Sequence, residues 1–176
     1  GYLARGHQVA VVVSAMSGEA NRLVGMGHEL GGPTASRRER HVRTSSGEQV
    51  TIALLSIALL QRGIAAKSFL ADQIALHTDG AHGRARIERI DTEVLRREIA
   101  DGVVPVIAGF QGVNDLGEIT TLGRGGSDTS AVALAAALEA DECAICTDVD
   151  GVYTTDPRIA HGAPRPQQTT PADTLA

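Results

Sequence analysis

One segment limits the folds open to this chain more than any other. Thr120-Thr121-Leu122-Gly123-Arg124-Gly125-Gly126-Ser127-Asp128-Thr129-Ser130 is a glycine-rich turn that runs straight into the alanine-rich stretch 131–140. Glycine reaches positive φ without steric cost and lets a backbone approach a ligand closely. Asp128, Thr129 and Ser130 are good N-cap residues, which predicts a helix over 131–140. A helix start carries partial positive charge and unpaired N–H groups, so a glycine turn feeding a helix suits an anion, phosphate above all. Arg124 adds a planar fork of donors matched to phosphate or carboxylate. A simple cap after a flexible turn is the competing explanation of the same residues.

The flanking periodicities supply the scaffold for such a turn. Residues 9–13 form a β-branched apolar run that reads as a buried parallel strand, ending in the small-residue loop Ser14-Ala15-Met16-Ser17-Gly18. Residues 19–30 suit a helix, weakened by Gly25 and Gly27 and broken by Gly31-Gly32-Pro33. Residues 48–62 form the strongest helix. It is apolar around most of its circumference and hence expected to be largely buried, with Gly63 closing it. Residues 66–71 read as a short strand. Residues 74–79 and 84–90 read as exposed strands joined through Asp79-Gly80-Ala81-His82-Gly83. A helix over 92–100 precedes a buried strand over 103–108, in which Pro105 is tolerable only near a start or bulge. Gly109-Phe110-Gln111-Gly112 reads as a loop, 112–121 as a hairpin turning at Asn114-Asp115-Leu116-Gly117, and 143–147 as another buried strand.

Strands alternating with helices give an α/β class, a mostly parallel sheet sandwiched by helices. Ligands of such sheets sit beyond the carboxyl ends of the strands. The loops at those ends are 14–18, 109–112 and 148–158, and the glycine turn faces the same edge.

Composition removes several function classes. At 176 residues the chain suits one domain or a little more, and 43% hydrophobic with 2% aromatic residues means an aliphatic core. Net charge is −5 and the only basic run is Ser36-Arg37-Arg38-Glu39-Arg40, which argues against a nucleic-acid partner. No apolar run approaches a membrane span, and residues 1–7 do not form a signal peptide. Cys143 and Cys146 have C-x-x-C spacing but lack a second ligand pair for zinc. Read as two buried thiols on a strand, they fit a reducing cytoplasm. The six histidines are scattered, and no Gly-x-Ser-x-Gly elbow supports acyl transfer. The glycine turn itself is not a Walker A loop, which needs Gly-x-x-x-x-Gly-Lys-Ser/Thr. It is not a Rossmann fingerprint either, since a hairpin end precedes it.

Two further constellations stand out. Thr147-Asp148-Val149-Asp150-Gly151-Val152-Tyr153-Thr154-Thr155-Asp156-Pro157-Arg158 follows the last strand. Its aspartates could hold a ribose or a metal-bound nucleotide, Tyr153 a base and Arg158 a phosphate. Turn chemistry explains Asp-Gly and Asp-Pro equally well. Ser45-Ser46-Gly47-Glu48 opens the long helix, with Glu48 in a first turn where the dipole favours a carboxylate. Capping alone accounts for that placement too.

With these segments located, the chain resembles the aspartokinases, within the amino acid kinase family. The resemblance rests on Val11-Val12-Val13-Ser14-Ala15-Met16-Ser17-Gly18, Ser46-Gly47-Glu48, Ala108-Gly109-Phe110-Gln111-Gly112, the run 120–129 and the run 147–158. It implies an amino acid kinase (carbamate kinase-like) fold, and transfer of the γ-phosphate of ATP to the side-chain carboxylate of L-aspartate. The product is 4-phospho-L-aspartate, first step toward lysine, threonine and methionine. It implies Ser14 beside the transferred phosphate, Glu48 on the amino group of aspartate, and Asp128 orienting the catalytic groups. The backbone of Phe110, with Arg124, Gly125, Gly126 and Ser127, would hold the substrate carboxylates. Thr147, Asp148, Tyr153, Thr154, Thr155, Asp156, Pro157 and Arg158 would line the nucleotide site, with Mg²⁺ bridging the phosphates. A full-length parent would be a cytoplasmic homo-oligomer.

The departures from the family pattern shape a second expectation. Nothing here matches the family's opening Lys-Phe/Tyr-Gly-Gly run, and its later phosphate-contacting lysine, closing strands and ACT regulatory domains find no counterpart. Ala20 stands where the family has a threonine, a lost hydroxyl worth about 1 kcal/mol. The chain is therefore expected to be part of a catalytic domain, truncated at both ends and inactive alone. The alternative is a non-catalytic remnant that binds nucleotide or a partner subunit. Family enzymes acting on glutamate, acetylglutamate, carbamate or UMP fit the runs around Arg124 and Asp148 less well.

Overall fold

Val104–Ala108 is the strand around which everything else is organised, and all five of its residues are buried. In this computed structural model, which describes residues 1–31, 36–81 and 83–146, it is the central strand of a three-stranded parallel sheet. Its neighbours are Val11–Val13 (β1) and Ala66–Phe69 (β2). The elements in chain order are β1, Glu19–Gly31 (α1), Arg37–Leu60 (α2), β2, His77–Thr78 (β3), Ile87–Arg89 (β4) and Glu93–Ala100 (α3). Val104–Ala108 (β5), Gln111–Val113 (β6), Ile119–Thr121 (β7) and Gly126–Leu138 (α4) complete the series. The chain divides into two units, Gly1–Cys143 and Ala144–Ala176, and every element named here belongs to the first.

The two-residue period of β5 sorts the core into two clusters. Val104, Val106 and Ala108 pack with Ile52 of α2. Ile107 faces the other way, toward Phe69, Ile74, Leu76, Leu95 of α3 and Leu134 of α4. Helices thus cover both faces of the parallel sheet, as a strand buried on both sides demands. Pro105 fits the centre of the sheet for a specific reason. Val104 donates to Ala65, so the donor that proline lacks falls on the opposite side, before pairing with β1 begins at Val106. A second sheet, in the order β4-β3-β6-β7, stands beside the first. Its β3–β4 and β6–β7 pairs are antiparallel, and Asn114 accepts from the N–H groups of Leu116 and Glu118 to close the β6–β7 turn.

Several expectations are corrected. The long helix begins at Arg37, eleven residues before Glu48. Thr44, Ser45 and Ser46 are not caps, because each hydroxyl donates back to a carbonyl three or four residues earlier and so sits comfortably inside a helix. That helix is also less buried than expected, with Val50, Leu54 and Ile57 exposed along one side. The alanine-rich helix starts at Gly126 rather than at 131, for the same reason: Thr129 and Ser130 donate to the carbonyls of Gly125 and Gly126. β1 is half-buried rather than buried, having one strand neighbour among the described residues. Residues 142–146 form no strand there, and Cys143 and Cys146 are exposed.

Candidate active site

Because β1 and β5 run parallel with Val13 opposite Ala108, the chain leaves both at one edge. Gly109 N–H donates to the Val13 carbonyl at 3.0 Å, so the two exits are joined. After β1, exposed Ser14 is followed by Ala15, whose N–H donates to Glu48 Oε1 at 3.1 Å. A Cβ on Gly47 would stand 2.8 Å from Ala15 Cβ, so only glycine lets this loop lie against α2. Glu48 is therefore a mid-helix residue, not a first-turn one. It is 5% exposed, and its Oε2 is buried with no hydrogen-bond partner among the described residues. Burial pushes its carboxyl above the ordinary carboxylate range, partly offset by bonds from its own backbone and from Ala15. A buried carboxylate with one oxygen unsatisfied is costly unless a cation or donor meets it.

After β5 the chain turns sharply at Phe110, which adopts φ +66, a left-handed conformation uncommon outside glycine. Two bonds hold it there. Its N–H donates to Ser130 Oγ at 3.1 Å, and its carbonyl accepts from Leu122 at 2.9 Å. The backbone of Phe110 thus enters the site already paired. The start of α4 is pressed against this turn. A Cβ on Gly126 would meet the Phe110 ring at 2.8 Å, and one on Gly109 would meet Ser127 at 2.9 Å.

Gly125, at φ +67, is the N-cap of α4, which places Ser127 and Asp128 in the first turn. Gly126 N–H is used by Gly123 and Thr129 N–H by Gly125, but those of Ser127 and Asp128 have no partner among the described residues. Arg124 and Asp128 are exposed, and neither side chain has a partner there. Donors, guanidinium and carboxylate are thus presented together at the edge where Ser14, Ala15 and Glu48 lie. Among the described residues no group of three or more His, Cys, Asp or Glu could hold a metal ion by itself. Asp128 suits a magnesium ion that takes most of its remaining ligands from phosphates and water.

Arg124 also lines an open cleft of about 960 Å³, together with Phe110, Thr121 and Gly123. Ser14, Glu48, Ser127 and Asp128 do not line it. The nucleotide-side residues Thr147, Asp148, Tyr153, Thr154, Thr155, Asp156, Pro157 and Arg158 lie outside the described residues. Sequence reasoning passed over Ser130, which is fully buried and ties the Phe110 turn to the first turn of α4. It also passed over His41, whose Nδ1 lies 2.8 Å from Thr121 Oγ1 beneath the glycine turn. Ser130 was legible only as a cap, and nothing in the local pattern around His41 marks it.

Comparisons with known proteins bear on the family and the fold. The chain is 58% identical over 160 residues to an aspartokinase of Pseudomonas aeruginosa, a match that covers 91% of this chain and 39% of that one. Among solved structures, aspartate kinase from Synechocystis superimposes with a TM-score of 0.72 at 45% identity, covering 92% of this chain and 26% of that chain. Aspartokinase III of E. coli, in complex with aspartate and ADP, superimposes with a TM-score of 0.70 at 33% identity, covering 84% of this chain and 34% of that chain. The chain thus spans about two fifths of the length of the curated relative. Among the described residues no helix is long and apolar enough to cross a membrane. The sequence profile of the Amino acid kinase family matches residues 2–176, and the chain belongs to that family.

Proposed function

We propose that this chain forms the amino-acid side of an ATP-dependent aspartate kinase site. One observation carries the reading: free donors and an orphan buried carboxylate occur at one sheet edge. L-aspartate bears two carboxylates and one ammonium. Arg124 and the free N–H groups of Ser127 and Asp128 suit the carboxylates. Glu48, with Oε2 unpartnered, suits the ammonium. Arrival of that cation would favour the ionised form of Glu48, offsetting the burial that raises its pKa.

The reaction is attack by a side-chain carboxylate oxygen on the γ-phosphorus of ATP. A new P–O bond forms, the bond to the β,γ-bridging oxygen breaks, and ADP leaves with that electron pair. Both reactants are anions, so positioning and charge neutralisation dominate catalysis. Arg124 and the α4 start would orient the nucleophile, and Ser14 lies at the exit of β1, where the transferred group would pass. Mg²⁺, when bound beside Asp128, would offset phosphate charge. The residues 147–158 are assigned to the nucleotide on their sequence alone. Placement in lysine, threonine and methionine biosynthesis, in the cytoplasm and in a homo-oligomeric full-length enzyme, belongs to the same reading.

The test sets this chain into the corresponding stretch of a full-length relative and measures aspartyl phosphate as its hydroxamate. Aspartate-dependent product is expected, and Arg124→Ala should raise the aspartate requirement far more than the ATP requirement. Equal effects on both would remove Arg124 from the substrate role. Turnover of a different acid in preference to aspartate would overturn the assignment.

A further inference from the structure

Most of the lining of the open cleft beside the glycine turn has no part in the proposed reaction, Arg124 and Phe110 being the exceptions. Arg37, Arg40, Arg43, Arg84 and Arg124 all line it, with His28 and His41, and among the described residues no Asp or Glu does. This happens in a chain whose net charge is −5. Within the basic run at 36–40, Arg38 is balanced by acids, whereas Arg37 and Arg40 line the cleft. The run opens α2, along whose first two turns Arg37, Arg40 and Arg43 recur every three residues and share one side of the helix.

The acids that meet this run are occupied outside the cleft among the described residues. Glu39 and Glu118 pair with Arg38, which does not line the cleft. None of the five lining guanidiniums has a carboxylate partner among the described residues. Arg43 is the most constrained of them. A Cβ on Gly27 would fall 1.0 Å from its Nη1, so the guanidinium lies directly over the backbone of α1 at a glycine. Its Nε is buried and without a hydrogen-bond partner among the described residues. A buried donor in a wall of like charges is unfavourable until an anion meets it.

We propose that this cleft, between α1, the first half of α2 and the β3–β4 connection, binds a small multivalent anion carrying several phosphate or carboxylate groups. The proposal does not depend on aspartate being the substrate. Guanidiniums from separate elements, Arg40 and Arg43 on α2 and Arg84 on the β3–β4 connection, suit a ligand with several anionic groups better than a single phosphate.

Isothermal titration of the full chain with sodium tripolyphosphate, citrate and inorganic phosphate tests it, the first two arms separating phosphate from carboxylate chemistry. At least one multivalent probe should bind at least about tenfold tighter than inorganic phosphate. Its affinity should fall steeply between about 50 and about 200 mM salt. The double variant Arg40→Gln, Arg43→Gln should lose at least about tenfold, while the Arg→Lys pair, which keeps the charge, should retain most of the binding. Arg86→Gln, outside the cleft, should change nothing. Circular dichroism checks folding, and Arg84→Gln gives the same readout from the β3–β4 connection if the double variant unfolds. Absence of heat with both multivalent probes would overturn the proposal. So would binding insensitive to Arg40, Arg43 and Arg84, or binding lost only with Arg124→Gln.

Discussion

The start of α4 and the start of α2 both present positive charge to the space around Arg124, but they are built in opposite ways. The α4 start uses main-chain amides, held by Gly126 and Gly109, which have no room for a side chain, and by a serine buried in the turn beneath. The α2 start uses long guanidiniums that line an open cleft and are bonded to little. The first device is part of the packing, so damage to it is damage to the fold. The second is mounted on a helix that would stand without it, and the like charges there oppose one another. An amide site should be rigid and tolerant of salt, whereas a guanidinium cleft should be adaptable and salt-sensitive.

Four substitutions sharpen or break that contrast, and they run from large effects to small. Gly126→Val should destabilise most, by about 3 kcal/mol, because the new side chain meets the Phe110 ring and Leu122 and overpacked interiors relax poorly. Urea denaturation measures it, and a loss below about 1 kcal/mol would mean the α4 start is not tightly packed. Ser130→Ala should follow, at about 1–2 kcal/mol, since it strands the Phe110 N–H in a buried place.

Glu48→Gln should act through pH. The folded protein holds this carboxyl above its ordinary value, so its contribution to stability is full at acidic pH and declines as pH rises through the raised value. The glutamine variant should lack that decline and be relatively more stable at neutral pH, read as a flatter profile of urea midpoint against pH. Aspartate binding has the opposite dependence: it should weaken as falling pH protonates Glu48, and glutamine should abolish that titration. A steep profile in the variant would assign the titration to another group. Arg40→Gln comes last, changing stability by no more than about 0.5 kcal/mol, and in the stabilising direction, since it relieves like-charge neighbours at i,i+3. A large loss of stability there would show the guanidiniums to be structural and dissolve the contrast.

The sequence made the architecture plain because strands and helices advertise their own periods. The buried run of β5, the α/β alternation and the turn at Asn114 are local patterns with direct physical causes. Helix starts were misread at both functional helices, and by one mechanism. Ser45, Ser46, Thr129 and Ser130 look like caps, since serine and threonine hydroxyls compete for backbone partners. Which partner they take is decided by what precedes them. Here each finds a carbonyl behind it, and the helix continues backward through arginines in one case and glycines in the other. The same error hid the orphan oxygen of Glu48, because a first-turn carboxylate needs no further explanation whereas a mid-helix buried one does. The cleft could not be read at all, since it joins Arg43 to Gly27 and Arg84 across three separate segments.

Phe110 leaves one practical consequence. An L-amino acid held in the left-handed region, with both its amide and carbonyl engaged, is a spring kept compressed by its surroundings. Glycine at this position would relax the spring while discarding the ring, and a mirror-image phenylalanine introduced by chemical synthesis would relax it while keeping the aromatic atoms. Comparing the two would separate what the twist costs from what the ring contributes at a corner that joins two helices and two sheets.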